Sequence, residues 1–455
     1  MFNPGLTKSK HVDMLHGPLF GKIFRFSLPL IASGVLQQSF TAVDTAVVGR
    51  YASTQAIAAV GSNGPIISIL VNLFLGIAVG ANAVIANSLG AKDDEAVRKS
   101  VSTVSVVTVV SGILLTILGV VLARPILEAM SAPHDVIDLA ETYLRIFFLG
   151  MPFMMIYNFG SAIMRSVGDT TLPFVSLLIA TICNLILDVT FMSVFSSGVE
   201  AVAWATVLSN AINAGIIVAF LRREKEPLRL DLTRWSVSAE YLGKMLRIGV
   251  PAGMQGMVFS LSNLFIQSAI NGFGSAAVAG SAAAVTFEAY CYYIVSAFCA
   301  ATIAFAGQNY GAGLYGRCRR IFRICMLYSV VLCGLSNLLI ALNEHACVSL
   351  FTTDPEAMRF AYIRIHTVLM VQCVASSYEI SGAYMRAFGY SVLPMLLTVF
   401  GTCVLRVAWV AVFARIDHTF HNLLIIYPVT WTVTGILVLT AARIVSRRTF
   451  RLLPA

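Results

Sequence analysis

Charge is what this chain has least of. Only 12% of its 455 residues are Asp, Glu, Lys or Arg, where soluble proteins average about a quarter, and 58% are hydrophobic, so the membrane is its solvent. The net charge of +9 does not point to nucleic acid, because the basic residues fall in short clusters between apolar stretches and form no continuous polar face. Cysteine pairing is missing too. Among nine cysteines there is no CxxC and no Cys/His cluster, and Cys183, Cys291, Cys299, Cys325, Cys333, Cys373 and Cys403 sit in apolar segments as small hydrophobic side chains. That excludes a zinc site and a disulfide framework. No GxxxxGK[ST] pattern occurs, GAGLYGRCRR at 311–320 included, and no nucleotide-binding domain is evident. We expect no enzyme and no organic cofactor, with an ion gradient as the energy source. The start, MFNPGLTKSKHVDMLHG, lacks an apolar core followed by a small-residue cleavage site, so the first span is expected to be retained.

What the chain does have is apolar runs long enough to cross about 30 Å of hydrocarbon. Twelve are expected, near 24–48, 60–86, 101–123, 140–163, 172–194, 199–221, 245–269, 277–305, 321–342, 360–384, 391–413 and 422–443. The intervening charges test this count. With the N-terminus inside, Lys8, Lys10, Lys22, Arg25, Lys92, Arg98, Lys99 and Arg165 fall on the cytoplasmic side. So do Arg222, Arg223, Lys225, Arg317, Arg319, Arg320, Arg323, Arg386, Arg443, Arg447 and Arg448, whereas outer loops hold little beyond Arg50, Arg124, Arg359 and Arg415. This asymmetry predicts a multi-pass plasma-membrane (cell inner membrane) protein with both termini cytoplasmic.

One long polar passage, 222–244, divides the runs into six and six, and the sequence repeats across it. LFGKIFRFSLP at 19–29 resembles YLGKMLRIGVP at 241–251, and AIMRSVGDTTLP at 162–173 resembles AYMRAFGYSVLP at 383–394. The expected fold is an all-α polytopic membrane protein of twelve transmembrane helices in two pseudo-symmetric six-helix bundles. Its parts are an N-terminal lobe at 1–221, a cytoplasmic linker at 222–244, and a C-terminal lobe with a basic tail at 245–455. Six spans per half predict parallel repeats, with a cleft between them suited to alternating access.

Polar residues inside such spans are costly and mark function by default. Asp44 lies in the first span, Asn184 and Asp188 share a face of the fifth through their i,i+4 spacing, and Thr206 falls at similar depth in the sixth. Two carboxylates, an amide and a hydroxyl suit Na⁺ through oxygen ligands, or a shared proton. They also suit a satisfied polar network that only fixes helix packing. The second half has no acid in its first span but carries Gln255, Ser260, Ser262, Asn263 and Gln267. Its candidates for solute contact are Gln255, Met257, Glu288, Tyr292, Glu379 and Arg406, with Gln38 from the first span. Glu288 reads either as a solute or proton site or as the structural partner of Arg406. Glu379 occupies the position of Asn158 in the first repeat and fits a vestibule or a packing contact equally.

The stretch FSLPLIASGVLQQSFTAVDTAVVGR followed by AIAAVG, with MRSVGD at 164–169, NLILD at 184–188 and YMRAFG at 384–389, resembles the multidrug and toxic compound extrusion (MATE) family over nearly the whole chain. Among its members the likeness is to the bacterial branch of DinF-like and MepA-like exporters. The resemblance implies an antiporter that expels amphipathic, often cationic organic compounds or metabolites while H⁺ or Na⁺ returns. It also implies that Asp44, Asn184, Asp188 and Thr206 form the cation site, which holds the metal if the ion is Na⁺. Small solutes, membrane lipids and the coupling cation are the expected partners, with no nucleic acid and a functional monomer. One departure stands out: no acid lies between Pro251 and Ile270, where some Na⁺-coupled relatives carry one. The rival readings are a lipid-linked precursor flippase, disfavoured because Arg406 is the one clear basic residue expected well inside a span, and a receptor-like or structural membrane protein.

Overall fold

Hydrocarbon offers no hydrogen-bond partners, so a chain this apolar has to satisfy its backbone within its own helices. The computed structural model describes residues 11–51, 54–129, 136–195, 198–231, 235–413 and 418–451, and it is all-α, with no strand among them. The first half contains α1 (Leu19–Tyr51), α2 (Thr54–Gly90), α3 (Asp94–Ala129), α4 (Ile137–Leu149), α5 (Met151–Val167), α6 (Thr171–Phe195) and α7 (Gly198–Arg223). The second contains α8 (Ala239–Asn271), α9 (Ser275–Gly311), α10 (Tyr315–Leu342), α11 (Glu344–Val348), α12 (Pro355–Thr367), α13 (Ser376–Ala387), α14 (Val392–Thr398), α15 (Leu405–Phe413), α16 (Phe420–Leu424) and α17 (Ile426–Arg451).

Nine helices among the described residues are long and apolar enough to cross a membrane, and ten when α4 and α5, which meet at a 47° bend, count as one span. Two of the twelve expected runs take other forms. Run 245–269 lies in the unbroken α8, whose interior Gln255, Asn263 and Gln267 lower its hydropathy and keep it out of that set. Run 360–384 is broken: α12 ends at Thr367, a 3₁₀ turn spans Leu369–Ala375, and α13 follows. Run 391–413 is interrupted by a π-helical turn at Val399–Val404. There α17 comes so close that a Cβ on Gly401 would meet Thr434 Oγ1 at 2.5 Å.

The chain forms two compact units, Met1–Asp13 with Ala32–Gly253, and Met14–Ile31 with Met254–Ala455. In the first, Ser102 and Thr103 of α3 pin the chain ahead of α8. Ser236 N donates to Ser102 Oγ at 3.0 Å and Ser238 N to Thr103 Oγ1 at 3.1 Å. In the second, the start of α1 is held by Phe26 against Phe305, ring centroids 5.3 Å apart, and by the Tyr328 hydroxyl donating to Phe20 O at 3.3 Å.

The repeat is visible in the backbone. Gly168 and Gly389, 221 residues apart, both adopt the left-handed conformation, at φ 95° and 89°. Lys92 and Gly313, at the same separation, do so at 57° and 73°. The turns that follow equivalent helices have therefore kept one geometry in both halves, and at Lys92 a side chain bears the strain that glycine avoids.

Within the first unit, GIAVG of α2 (Gly76–Gly80) faces GVPAG of α8 (Gly249–Gly253). A Cβ on Gly76 would lie 2.1 Å from Gly253 N, and one on Gly253 would lie 2.3 Å from Leu73 O. Small residues four apart on both partners let backbones touch, which replaces the hydrophobic drive that lipid does not supply. Gly76→Val or Gly253→Val is expected to force these backbones apart at about 1–3 kcal/mol or more. A thermal-unfolding scan of detergent-purified protein checks this, with Gly215→Ala, which meets open space, as the neutral control.

Candidate ion and solute sites

In a membrane the ordinary amphipathic pattern turns inside out. On α6, Ile182, Leu185, Ile186 and Val189 form an exposed apolar stripe, and the opposite face buries Asn184 (1% exposed) and Asp188 (0%). On α7, Trp204, Leu208 and Ile212 are exposed at i, i+4 and i+8, leaving Thr206, Ser209 and Asn213 buried on the other side. The two helices pack along each other. Thr206 Oγ1 donates to Val202 O at 2.9 Å, so its oxygen lone pairs remain available to accept or ligate. Ser176 of α6 bonds Asn213 of α7 through their side chains. Asn184, Asp188 and Thr206 thus lie on the protein-facing sides of a packed pair and supply only hard oxygen donors and one amide N–H₂. Asp44 belongs to α1, and its side chain lies outside the described residues. Gln38 is half-buried on the same helix.

The second unit holds a different chemistry. Glu288 of α9 is clamped by Arg364 of α12, whose Nε reaches Oε1 at 2.6 Å and whose Nη2 reaches Oε2 at 3.0 Å. Arg364 Nη1 also donates to Ser281 Oγ at 2.8 Å, and Gln372 of the 3₁₀ turn donates to Glu288 O at 2.8 Å. The structural partner expected for Glu288 was Arg406, and this is corrected: the partner is Arg364. Arg406 is held elsewhere, by Asn263 Oδ1 at 3.2 Å and by Tyr427, whose ring centroid lies 4.2 Å from the guanidinium. Phe259 at 5.6 Å and Trp431 at 5.9 Å complete an aromatic enclosure. The side chain is 1% exposed, and its Nε and Nη2 have no hydrogen-bond partner among the described residues. Aromatic faces offset part of the cost of burying this cation.

A second cluster joins α8, α9 and α13. The Tyr292 hydroxyl lies 3.4 Å from Glu379 Oε1, and Arg386, two turns along α13, donates from Nη2 to Gln255 Oε1 at 2.6 Å. Four of the seven expected solute-contact residues therefore divide between two places: Gln255, Tyr292 and Glu379 in this cluster, and Arg406 in its aromatic enclosure. Glu288 is paired, and Met257 is half-buried on α8. Asn158, the counterpart of Glu379, donates to Met154 O at 2.9 Å within its own helix.

The family profile described as MatE matches residues 29–190 and again 251–412. The chain belongs to the MATE family. It is similar to the probable multidrug resistance protein YoeA of Bacillus subtilis, 31% identical over 382 residues that cover 82% of each chain. It is also similar to a protein named FAD transporter from Shewanella oneidensis, 23% identical over 441 residues covering 94% of this chain and 95% of that one. A crystal structure of a MATE protein in complex with MaL6 superposes with a TM-score of 0.89 at 22% identity, over 98% of this chain and 100% of that one, and this likeness carries the fold.

The residues that sequence reasoning passed over are Arg364 and Arg386. Arg364 stood near the start of the tenth expected run, where a charge demands a partner, but spacing alone does not name the acid that supplies it. Arg386 was expected in an internal turn, and it is instead buried in the last turn of α13. Because Glu288 (12% exposed) and Arg364 (4%) desolvate each other, removing one partner strands the other charge. Glu288→Gln and Arg364→Gln are each expected to destabilise this MATE protein by about 3–5 kcal/mol. The double change Glu288→Gln/Arg364→Met should cost much less than their sum in a double-mutant cycle read by thermal unfolding.

Proposed function

We propose that this MATE protein is a cation-coupled antiporter exporting amphipathic organic compounds across the plasma membrane, built as twelve spans in two six-helix lobes with both termini cytoplasmic. α8 and the broken α12–α13 segment complete the count of twelve, and the lobes correspond to 1–221 and 245–455 joined by 222–244. The coupling site is Asp44, Asn184, Asp188 and Thr206. The observation that carries this reading is the burial of Asn184, Asp188 and Thr206 on the protein-facing sides of two helices whose other faces are apolar and exposed. A carboxylate kept at that depth lowers its cost by taking up H⁺ or Na⁺. Exchange follows when cation and solute favour different states of the protein. Gln38, Gln255, Met257, Tyr292 and Glu379 are the proposed solute contacts in the monomer. Efflux from proteoliposomes under separately imposed Na⁺ and proton gradients tests the coupling. Asp44→Asn and Asp188→Asn are each expected to abolish gradient-driven efflux while the folded yield persists, and undiminished efflux in both removes the site.

A second reading has one observation in its favour. Among the described residues, Arg406 is buried with two unpartnered donor atoms, and with Arg364 and Arg386 the second unit holds three buried guanidiniums, where Arg406 alone was expected. Such groups suit an anionic or phosphate-bearing solute, whether a flavin nucleotide, as the name of the Shewanella oneidensis relative prompts, or a lipid-linked precursor. Counterflow with a cationic dye and with a flavin nucleotide in parallel separates the readings. Arg406→Gln is expected to depress flavin exchange selectively if the second holds, and dye exchange without flavin exchange excludes it.

A further inference from the structure

A cavity of about 730 Å³ opens in the second unit where α10 begins and α17 ends, lined by Arg319 and Arg323 of α10, Arg443 and Arg447 of α17, and Tyr384 of α13. Each arginine pair is spaced i,i+4, so each helix turns one basic face to the cavity. All four arginines are exposed, neither helix contains an acidic residue, and among the described residues no ion pair engages any of the four. Arg319 instead lies over the Phe450 ring at 5.3 Å. Tyr384 and Ser446 add buried hydroxyls to the wall. Four guanidiniums held together without a counter-charge repel one another, and a ligand with phosphate oxygens relieves this through forked hydrogen bonds.

The basic faces continue into lipid-facing ones. Along α10 the series Arg319, Arg323 runs on through Leu327, Val331 and Leu335, all three exposed. Along α17 it runs back from Arg447 and Arg443 through Thr440 to Ile436, which is 62% exposed. A ligand that places a phosphate among the arginines therefore has its remaining length against outward apolar stripes. We infer that this cavity binds the headgroup of an anionic phospholipid from the adjacent leaflet, with the acyl chains lying along α10 and α17. The site is separate from the proposed coupling and solute residues. A soluble polyphosphate shares the headgroup's chemistry and lacks the apolar chains that the stripes accommodate.

The test uses the full-length protein, delipidated in detergent and titrated with phosphatidylglycerol, cardiolipin, phosphatidylcholine or inorganic pyrophosphate, with bound lipid counted by native mass spectrometry. The anionic lipids are expected to bind well above phosphatidylcholine. Arg319→Gln/Arg323→Gln and Arg443→Gln/Arg447→Gln should each weaken them by about tenfold or more. The charge-matched Arg222→Gln/Arg223→Gln, at the end of α7 in the other unit, should leave binding unchanged. Size-exclusion profiles matching the parent confirm that each variant is folded, and a cavity pair that fails this is replaced by the corresponding single changes. Equal losses in the control, or pyrophosphate binding as tightly as the lipids, would overturn the inference.

Discussion

A charge placed in hydrocarbon has to find a partner inside the protein, and that requirement arranges both halves of this molecule. An unpartnered ionised side chain at the centre of a span costs about 2.5–3.5 kcal/mol on insertion scales. The chain meets the requirement differently in its two units. In the second, Glu288 and Arg364 neutralise each other with two hydrogen bonds, and Arg406 is wrapped by Tyr427, Phe259 and Trp431. In the first, Asp188 is turned away from the exposed Ile182–Val189 stripe, on the buried side of a packed α6–α7 pair that also buries Asn184 and Thr206. One arrangement is a closed ion pair, and the other is a set of oxygen donors.

Helix irregularity is the means by which the second unit reaches its arrangement. The 3₁₀ turn at Leu369–Ala375 brings Gln372 within 2.8 Å of the Glu288 carbonyl and separates Arg364 on α12 from Glu379 on α13, so the two acids receive different neighbours. The π turn at Val399–Val404 precedes α15 directly and resets its rotation, leaving Val404 and Val407 outward and Arg406 inward. Both turns accept a poorer backbone pattern, and each is accompanied by a buried polar contact.

These features mark the boundary of what the amino-acid order discloses. Apolar runs, the central polar passage and the inward face of Asn184 and Asp188 follow from spacing alone, because a regular helix converts spacing into direction. The partner of Glu288 does not follow, since it depends on where the tenth run breaks, and Leu369–Ala375 carries neither proline nor glycine to announce the break. The GIAVG and GVPAG motifs are plain in the sequence, but their meeting is a tertiary fact. The seventh run folds as the continuous α8, and its interior Gln255, Asn263 and Gln267 keep it out of the helices that length and hydropathy alone pick out among the described residues.

The two halves show which parts of a duplicated membrane fold resist change. The left-handed turns at Gly168 and Gly389, and at Lys92 and Gly313, persist at one separation because they set the directions in which successive helices leave. At the same separation some interior side chains are retained, Met164 with Met385 and Arg165 with Arg386, and others have diverged. Arg364 stands opposite Tyr143 in the repeat, Asp188 opposite Trp409, and Glu379 opposite Asn158. Divergence at Asp188, Arg364 and Glu379, beneath turns of one geometry, gives the two halves different interior charges. Buried acid sits among oxygen donors in the first, whereas three buried arginines outnumber two carboxylates in the second. The turns that the repeats share set the helix directions, and the charges that they do not share distinguish their interiors.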